Sequence, residues 1–160
     1  MRAAVLTVSD GVSAGTREDA SGDLLEERLR AEGFEVDRSL VGDDEAAIAE
    51  ELETLAGRAD LVLTTGGTGF APRDVTPEAT RLVLDREAPG IAEAIRADAS
   101  SRTPHALLSR GVAGLRGATL IVNLPGSPGG CRDGLEVLLP ALEHGLSLAA
   151  GVDGPSHRQT

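Results

Sequence analysis

The 160-residue chain predicts an α/β fold in three layers, α/β/α, around a mostly parallel mixed sheet. Three observations carry that expectation. Short apolar runs at residues 3–8, 61–63 and 118–124 read as buried strands. Between them stand stretches with apolar residues at i, i+4 spacing, which read as helices with one inward stripe. Strand and helix alternate along most of the chain, an order that places helices on both faces of parallel strands.

Taken in order, residues 3–8 are the expected first strand, ending in Ser9-Asp10-Gly11. Residues 12–20 are polar and rich in turn formers, so a loop is expected there. Ser21 is expected to cap a helix running to about residue 31, with Leu25 and Leu29 inward and Gly33 ending it. Residues 34–41 alternate as a strand does. A third run carries Ile48, Leu52 and Leu55 at helical spacing behind the acidic Asp43-Asp44-Glu45. Beyond the strand at 61–63 two helices are expected, at residues 77–85 and 89–99. Residues 106–115 and 118–124 are expected as strands joined at Arg116-Gly117, which adds an antiparallel member. The last helix carries Leu135, Leu138, Leu142 and Leu146 on one stripe, with a kink expected at Pro140. Without repeat or linker, residues 1–150 read as one domain and residues 151–160 as a flexible tail.

Composition excludes several classes of partner. A net charge of -11 argues against nucleic-acid binding, which needs a basic face. Phe34 and Phe70 are the only aromatics, so bases have no stacking platform. All 15 basic residues are Arg, which removes any lysine nucleophile. Cys131 is the lone cysteine, so neither an internal disulfide nor a cysteine zinc site is expected. The apolar run near the start is too short for a signal peptide or a membrane span. A soluble, cytoplasmic protein is expected.

The chemistry concentrates in LVLTTGGTGFAPRDVTPEAT, residues 61–80. A buried strand breaks into Thr65-Gly66-Gly67-Thr68-Gly69, whose small side chains leave N–H groups able to cradle an anion. Arg73 and Asp74 follow, and Thr76-Pro77-Glu78 reads as a helix start with Thr76 as cap. In parallel sheets ligands bind beyond the carboxyl ends of the strands. Four loops follow strands here: Ser9-Asp10, Gly42-Asp43, residues 66–74 and residues 125–130. They are expected to converge on one edge. Read alone, Asp43 is either a helix cap or a ligand, and Asp74 either pairs with Arg73, holds its turn or serves the site. Ser127 with Pro128 reads as a helix cap or as part of an anion site.

The run TTGGTGFAPRDVTPEAT closely resembles the signature of the molybdenum cofactor biosynthesis family that binds molybdopterin. Further matches follow in the family's order: Thr7 to Asp10, Asp19-Ala20-Ser21-Gly22, Gly42-Asp43-Asp44, Leu108-Ser109-Arg110-Gly111 and Asn123 to Pro128. The resemblance implies a molybdopterin-binding-domain-like fold, commonly a homotrimer, and Mg²⁺- and ATP-dependent adenylylation of molybdopterin. It implies that Asp43 and Asp74 are catalytic and position the metal. It places Gly66, Gly67, Thr68 and Gly69 on phosphate or adenylate, helped by Thr65. It gives Ser9, Asp10, Arg110, Pro125, Gly126 and Ser127 as further substrate contacts, while read alone Asp10 equally stabilises its own turn and Arg110 is more often a surface ion pair. A branch of the family holds molybdopterin with weaker catalytic standing, and similar domains occur in larger molybdenum insertion proteins, a possible partner, and in proteins of pyridine-nucleotide repair. One departure is the pair Gly129-Gly130, where relatives often carry Lys. His105, His144 and His157 are scattered and none reads as catalytic.

Overall fold

The computed structural model describes residues 1–152, and residues 153–160 of the expected tail lie outside the described residues. Strands β1 (Arg2–Val8), β2 (Glu35–Val41), β3 (Leu61–Thr65), β4 (Arg86–Glu87), β5 (Ala113–Arg116) and β6 (Thr119–Leu124) form one sheet in the order β2-β1-β3-β6-β5-β4. The first four positions in that order are parallel. The β6–β5 and β5–β4 pairs are antiparallel, so the mixed sheet is observed as expected. Each residue of β3 and β6 is buried, because both strands lie inside the sheet with helices above and below.

Alternation along β1 divides the core. Ala3 and Val5 face α2 (Ala20–Ala31) and α6 (Pro128–Ala149), meeting Leu25, Leu29, Leu135, Leu138 and Leu142. Ala4, Leu6 and Val8 face the other way, meeting Ile48, Leu52 and Leu55 of α3 (Glu45–Ala56) and Ala79 and Val83 of α4 (Thr76–Val83). Helix α5 (Pro89–Ser100) joins the first layer through Ile91 and Ile95. Each fully buried Leu contributes roughly 2 kcal/mol, so both layers are firmly held on the sheet.

Several local expectations are corrected. Residues 12–20 are not all loop, because Ser9 accepts from the Val12 N–H and caps a single turn, α1 (Asp10–Ser13). Asp19, not Ser21, caps α2, its carboxylate accepting from the Gly22 N–H at 3.1 Å. Thr76 does not cap α4: it is the first helical residue, and its hydroxyl donates to the Gly66 carbonyl at 2.9 Å. Residues 106–112 are not strand. Pro104–Leu108 is a 3₁₀ turn opened by Thr103 and Pro104, and only Ala113–Arg116 pairs with β6. The two-residue strand β4 went unseen because Arg86-Glu87 has no apolar alternation.

Candidate functional site

The parallel strands β2, β1, β3 and β6 end at one edge, and all four expected loops meet there. Ser9 N donates to the Val41 carbonyl at 3.0 Å, extending the β1–β2 ladder by one step. Thr65 Oγ1 lies 2.8 Å from the Pro125 carbonyl and 3.0 Å from Ser21 Oγ, joining three loops at one hydroxyl. Gly66 N donates to the Leu124 carbonyl at 3.3 Å.

The glycine loop owes its course to missing side chains. Gly66 and Gly67 have φ of 98° and 68°, a region that L side chains enter at a cost. A Cβ on Gly66 would lie 2.3 Å from the Val8 carbonyl oxygen, and one on Gly67 would lie 2.4 Å from Thr76 Oγ1. Among the described residues the N–H groups of Gly67, Thr68 and Gly69 donate to no protein acceptor. Such neighbouring unpaired donors suit an anion.

Two carboxylates flank this loop. Asp44, not Asp43, caps α3 by accepting from Ala47 N at 2.8 Å, so Asp43 has no capping role. Asp43 Oδ2 accepts from the Asp10 N–H at 2.9 Å, and Asp10 Oδ1 accepts from the Asp43 N–H at 2.9 Å. Asp74 does not pair with Arg73; its Oδ2 accepts from the Ala71 N–H at 3.0 Å. Arg73 instead reaches Asp10 Oδ2 at 2.6 Å and the Asp43 carbonyl at 3.3 Å. The Arg73 guanidinium, with the Asp43 N–H, holds the Asp10 carboxyl below the usual carboxylate range.

A cavity of about 430 Å³ opens over this edge. Of the expected residues it is lined by Ser9, Asp43, Thr65, Gly66, Gly67 and Asp74. Gly126 and Ser127 close its far wall. Thr68, Gly69 and Pro125 line an adjoining and mainly apolar cavity of about 300 Å³, which shares Ser127 with the first and reaches Ile95 and Leu108. Asp10 lines neither of these cavities.

Arg110 has a different setting from the one expected, since it precedes β5 rather than lying on a strand. Its guanidinium pairs with Glu78, donates to the Gly69 carbonyl at 2.8 Å and donates to the Asp74 carbonyl at 2.7 Å. It thus fastens the loop between the two cavities. Arg110 also borders a third cavity of about 470 Å³, on the side of Arg81 and Pro89.

The sequence left some neighbours of the site without a role. Asp19 accepts from Thr7 Oγ1 at 2.7 Å and pairs with Arg38, while lining the main cavity with Ser21. The available signal was the Asp19-Ala20-Ser21-Gly22 match. Cys131 lies fully buried beneath the cavity, its sulfur 3.2 Å from Thr65 Oγ1 and 3.0 Å from the Pro125 carbonyl. Burial pushes its thiol up to about 11, which rules out a thiolate at neutral pH. Among the described residues no group of three or more His, Cys, Asp or Glu side chains could hold a metal. Asp43 and Asp74 nevertheless fit Mg²⁺, which takes one or two carboxylates and completes its shell with water and substrate phosphates. Each has one oxygen held by a backbone N–H and, among the described residues, a second oxygen without a hydrogen bond. No helix among the described residues is long and apolar enough to cross a membrane.

Solved structures share this fold. The family described as probable molybdopterin binding domain matches residues 4–144. The chain is 40% identical over 152 residues to the molybdopterin adenylyltransferase of Helicobacter pylori strain J99, covering 92% of this chain and 86% of that protein. It is 42% identical over 149 residues to the molybdenum cofactor synthesis protein cinnamon of Drosophila melanogaster, of which it spans only 25%. Among solved structures, the molybdopterin biosynthesis enzyme MoaB of Thermus thermophilus superposes with a TM-score of 0.88 at 53% identity, covering 94% of this chain and 96% of that one. On these grounds the chain belongs to the family of molybdopterin-binding domains of molybdenum cofactor biosynthesis.

Proposed function

We propose that this protein is a molybdopterin adenylyltransferase, moving AMP from ATP to the terminal phosphate of molybdopterin. One observation carries the reading: Asp43 and Asp74 line a single cavity together with Gly66 and Gly67, beside a second cavity of apolar character. The relative in Helicobacter pylori named for this activity supports it. In the reaction an oxygen of the molybdopterin phosphate forms a bond to the α-phosphorus of ATP. The bond from that phosphorus to the bridging β-phosphate oxygen breaks, and pyrophosphate leaves with the electron pair.

The nucleophile is already anionic, so the site needs alignment and charge compensation more than a strong base. The N–H groups of Gly67, Thr68 and Gly69 face the transferred phosphate in this reading, and Thr65 and Ser127 orient the phosphates beside them. Thr68, Gly69 and Pro125 border the space for the pterin. Asp43 and Asp74 would hold Mg²⁺, which would supply positive charge to offset the repulsion of the phosphates. The expected setting is cytoplasmic and the expected assembly a homotrimer, which sedimentation measures directly.

The test is turnover of molybdopterin with ATP and Mg²⁺, following adenylyl-molybdopterin and pyrophosphate together. Asp74→Asn and Asp43→Asn keep the shape and remove the charge, and each is expected to lower kcat by about a hundredfold or more. A folded Asp74→Asn protein that turns over like the wild type sinks the assignment of Asp74. Tight molybdopterin binding without any adenylylation by the wild type makes the protein a holding paralogue instead.

A further inference from the structure

Asp10 was expected to touch substrate, yet it lines neither the main cavity nor its apolar neighbour. What it does touch is Asp43. The two residues exchange backbone and side chain reciprocally, each carboxylate accepting from the other's N–H at 2.9 Å. They sit at the ends of neighbouring parallel strands, just past the Val8–Val41 pair. The exchange therefore closes the β1–β2 ladder at its carboxyl end with two side chains in place of main-chain bonds.

Two further contacts show that this closure is fitted. A Cβ on Gly42 would lie 3.0 Å from Asp10 Oδ1, so the carboxylate packs against bare backbone at that point. From the third loop Arg73 reaches over and binds both halves, through Asp10 Oδ2 and the Asp43 carbonyl. Asp43 is thereby held by one oxygen. Its other oxygen, Oδ1, lies 3.3 Å from where a Cβ on Gly67 would stand and so looks onto the glycine loop.

We infer that Asp10 is a positioning residue for Asp43, with Arg73 as the brace that holds Asp10 in turn. The inference rests on the proposed role of Asp43. It says that the charged pair Arg73–Asp10, though exposed, acts on the reaction by aiming a neighbouring carboxylate rather than by meeting substrate. An exposed ion pair adds little to stability on its own, so its effect falls on turnover and on metal use.

The experiment compares Asp10→Leu with Asp10→Asn in the full chain. Asn keeps an oxygen that accepts from the Asp43 N–H, whereas Leu keeps only the bulk. Losing a hydrogen bond to a charged group is worth about tenfold or more. Asp10→Leu should thus lower kcat by about tenfold or more and raise the Mg²⁺ concentration for half-maximal rate, with KM for molybdopterin little changed. Asp10→Asn should fall between it and the wild type. Arg73→Ala should add little on top of Asp10→Leu, because both act through one latch. Independently of turnover, amide exchange at Asp43 followed by NMR should quicken in Asp10→Leu and less so in Asp10→Asn. A rise in KM for ATP alone, with kcat and Asp43 exchange unchanged, makes Asp10 a substrate contact and overturns the inference. So do two variants that match the wild type in every readout. If the wild type itself shows no adenylylation, the proposed function falls, while the exchange rates still decide whether the latch exists.

Discussion

Thr65 and Cys131 show how one buried cluster serves as the floor of the cavity. Thr65 Oγ1 lies within hydrogen-bonding reach of Ser21 Oγ, the Pro125 carbonyl and the Cys131 sulfur, and the Cys131 sulfur also reaches the Pro125 carbonyl. Cys131 is fully buried and packs as a thiol rather than standing as a nucleophile. Its proton is retained in the fold to about 11, against an ordinary value of 9.0. A raised pKa contributes stability that is complete below pH 9.0 and lost as pH rises to about 11. The loss at pH 11 amounts to about 2 kcal/mol. The chain has no Lys and no Tyr, so few other side chains titrate in that window. Urea midpoints at about pH 8 and about pH 10.5, on either side of the ordinary thiol value, should differ for the wild type and differ less for Cys131→Ala. Equal slopes for the two proteins contradict the assignment. At this scale the sequence was partly legible. Adjacent Asp43 and Asp44 offer the same chemistry to a cap, and only the backbone decides that Asp44 takes it. Asp19 was obscured in the same way, because its partners Thr7 and Arg38 come from distant strands.

Among the elements, the turn after β3 depends most on residue type. Gly66→Ala brings a Cβ to 2.3 Å from the Val8 oxygen at a φ of 98°. The positive φ alone costs about 1–2 kcal/mol, and the clash adds to it. Calorimetry should show Tm lower by at least about 4 °C, together with loss of ATP binding. Gly90→Ala is the matched control, since a Cβ there meets nothing within 4 Å on a helical residue. An Ala there is worth up to about 1 kcal/mol in favour of the helix. If Gly66→Ala melts like Gly90→Ala, the turn is less constrained than its geometry says. Helices were the more legible elements, because three- and four-residue spacing marks α2, α3, α5 and α6 within the chain itself. The 3₁₀ turn Pro104–Leu108 misled because Ala106, Leu107 and Leu108 form an apolar run, of which Leu107 stays 72% exposed. Apolar composition was visible there and burial was not.

For the whole molecule, the site is a junction of four strand ends, so a ligand seated there ties the two ends of the parallel half together. Mg²⁺ with ATP at about a hundredfold excess over Kd should stabilise the fold by about 2.7 kcal/mol, a Tm rise of roughly 5–10 °C. Adding a chelator should remove most of that rise, given a net charge of -11 that otherwise opposes the nucleotide. A rise unaffected by the chelator contradicts a metal-dependent site. The convergence itself was legible, because alternating strands and helices fix which strand ends share an edge. The braces across it were not, since Arg73, Arg110 and Asp10 act over long sequence separations.

The buried thiol has a practical consequence at the far pole. The turn at Gly117 and Ala118 sits at the start of β6, at the opposite end of the sheet from the cavity, and both residues are exposed. With Cys131 shielded, Ala118→Cys leaves the described residues with a single reactive handle. A dye or a solid support attached there faces away from the nucleotide, so molecules can be tethered in one orientation with the reacting edge open to solution.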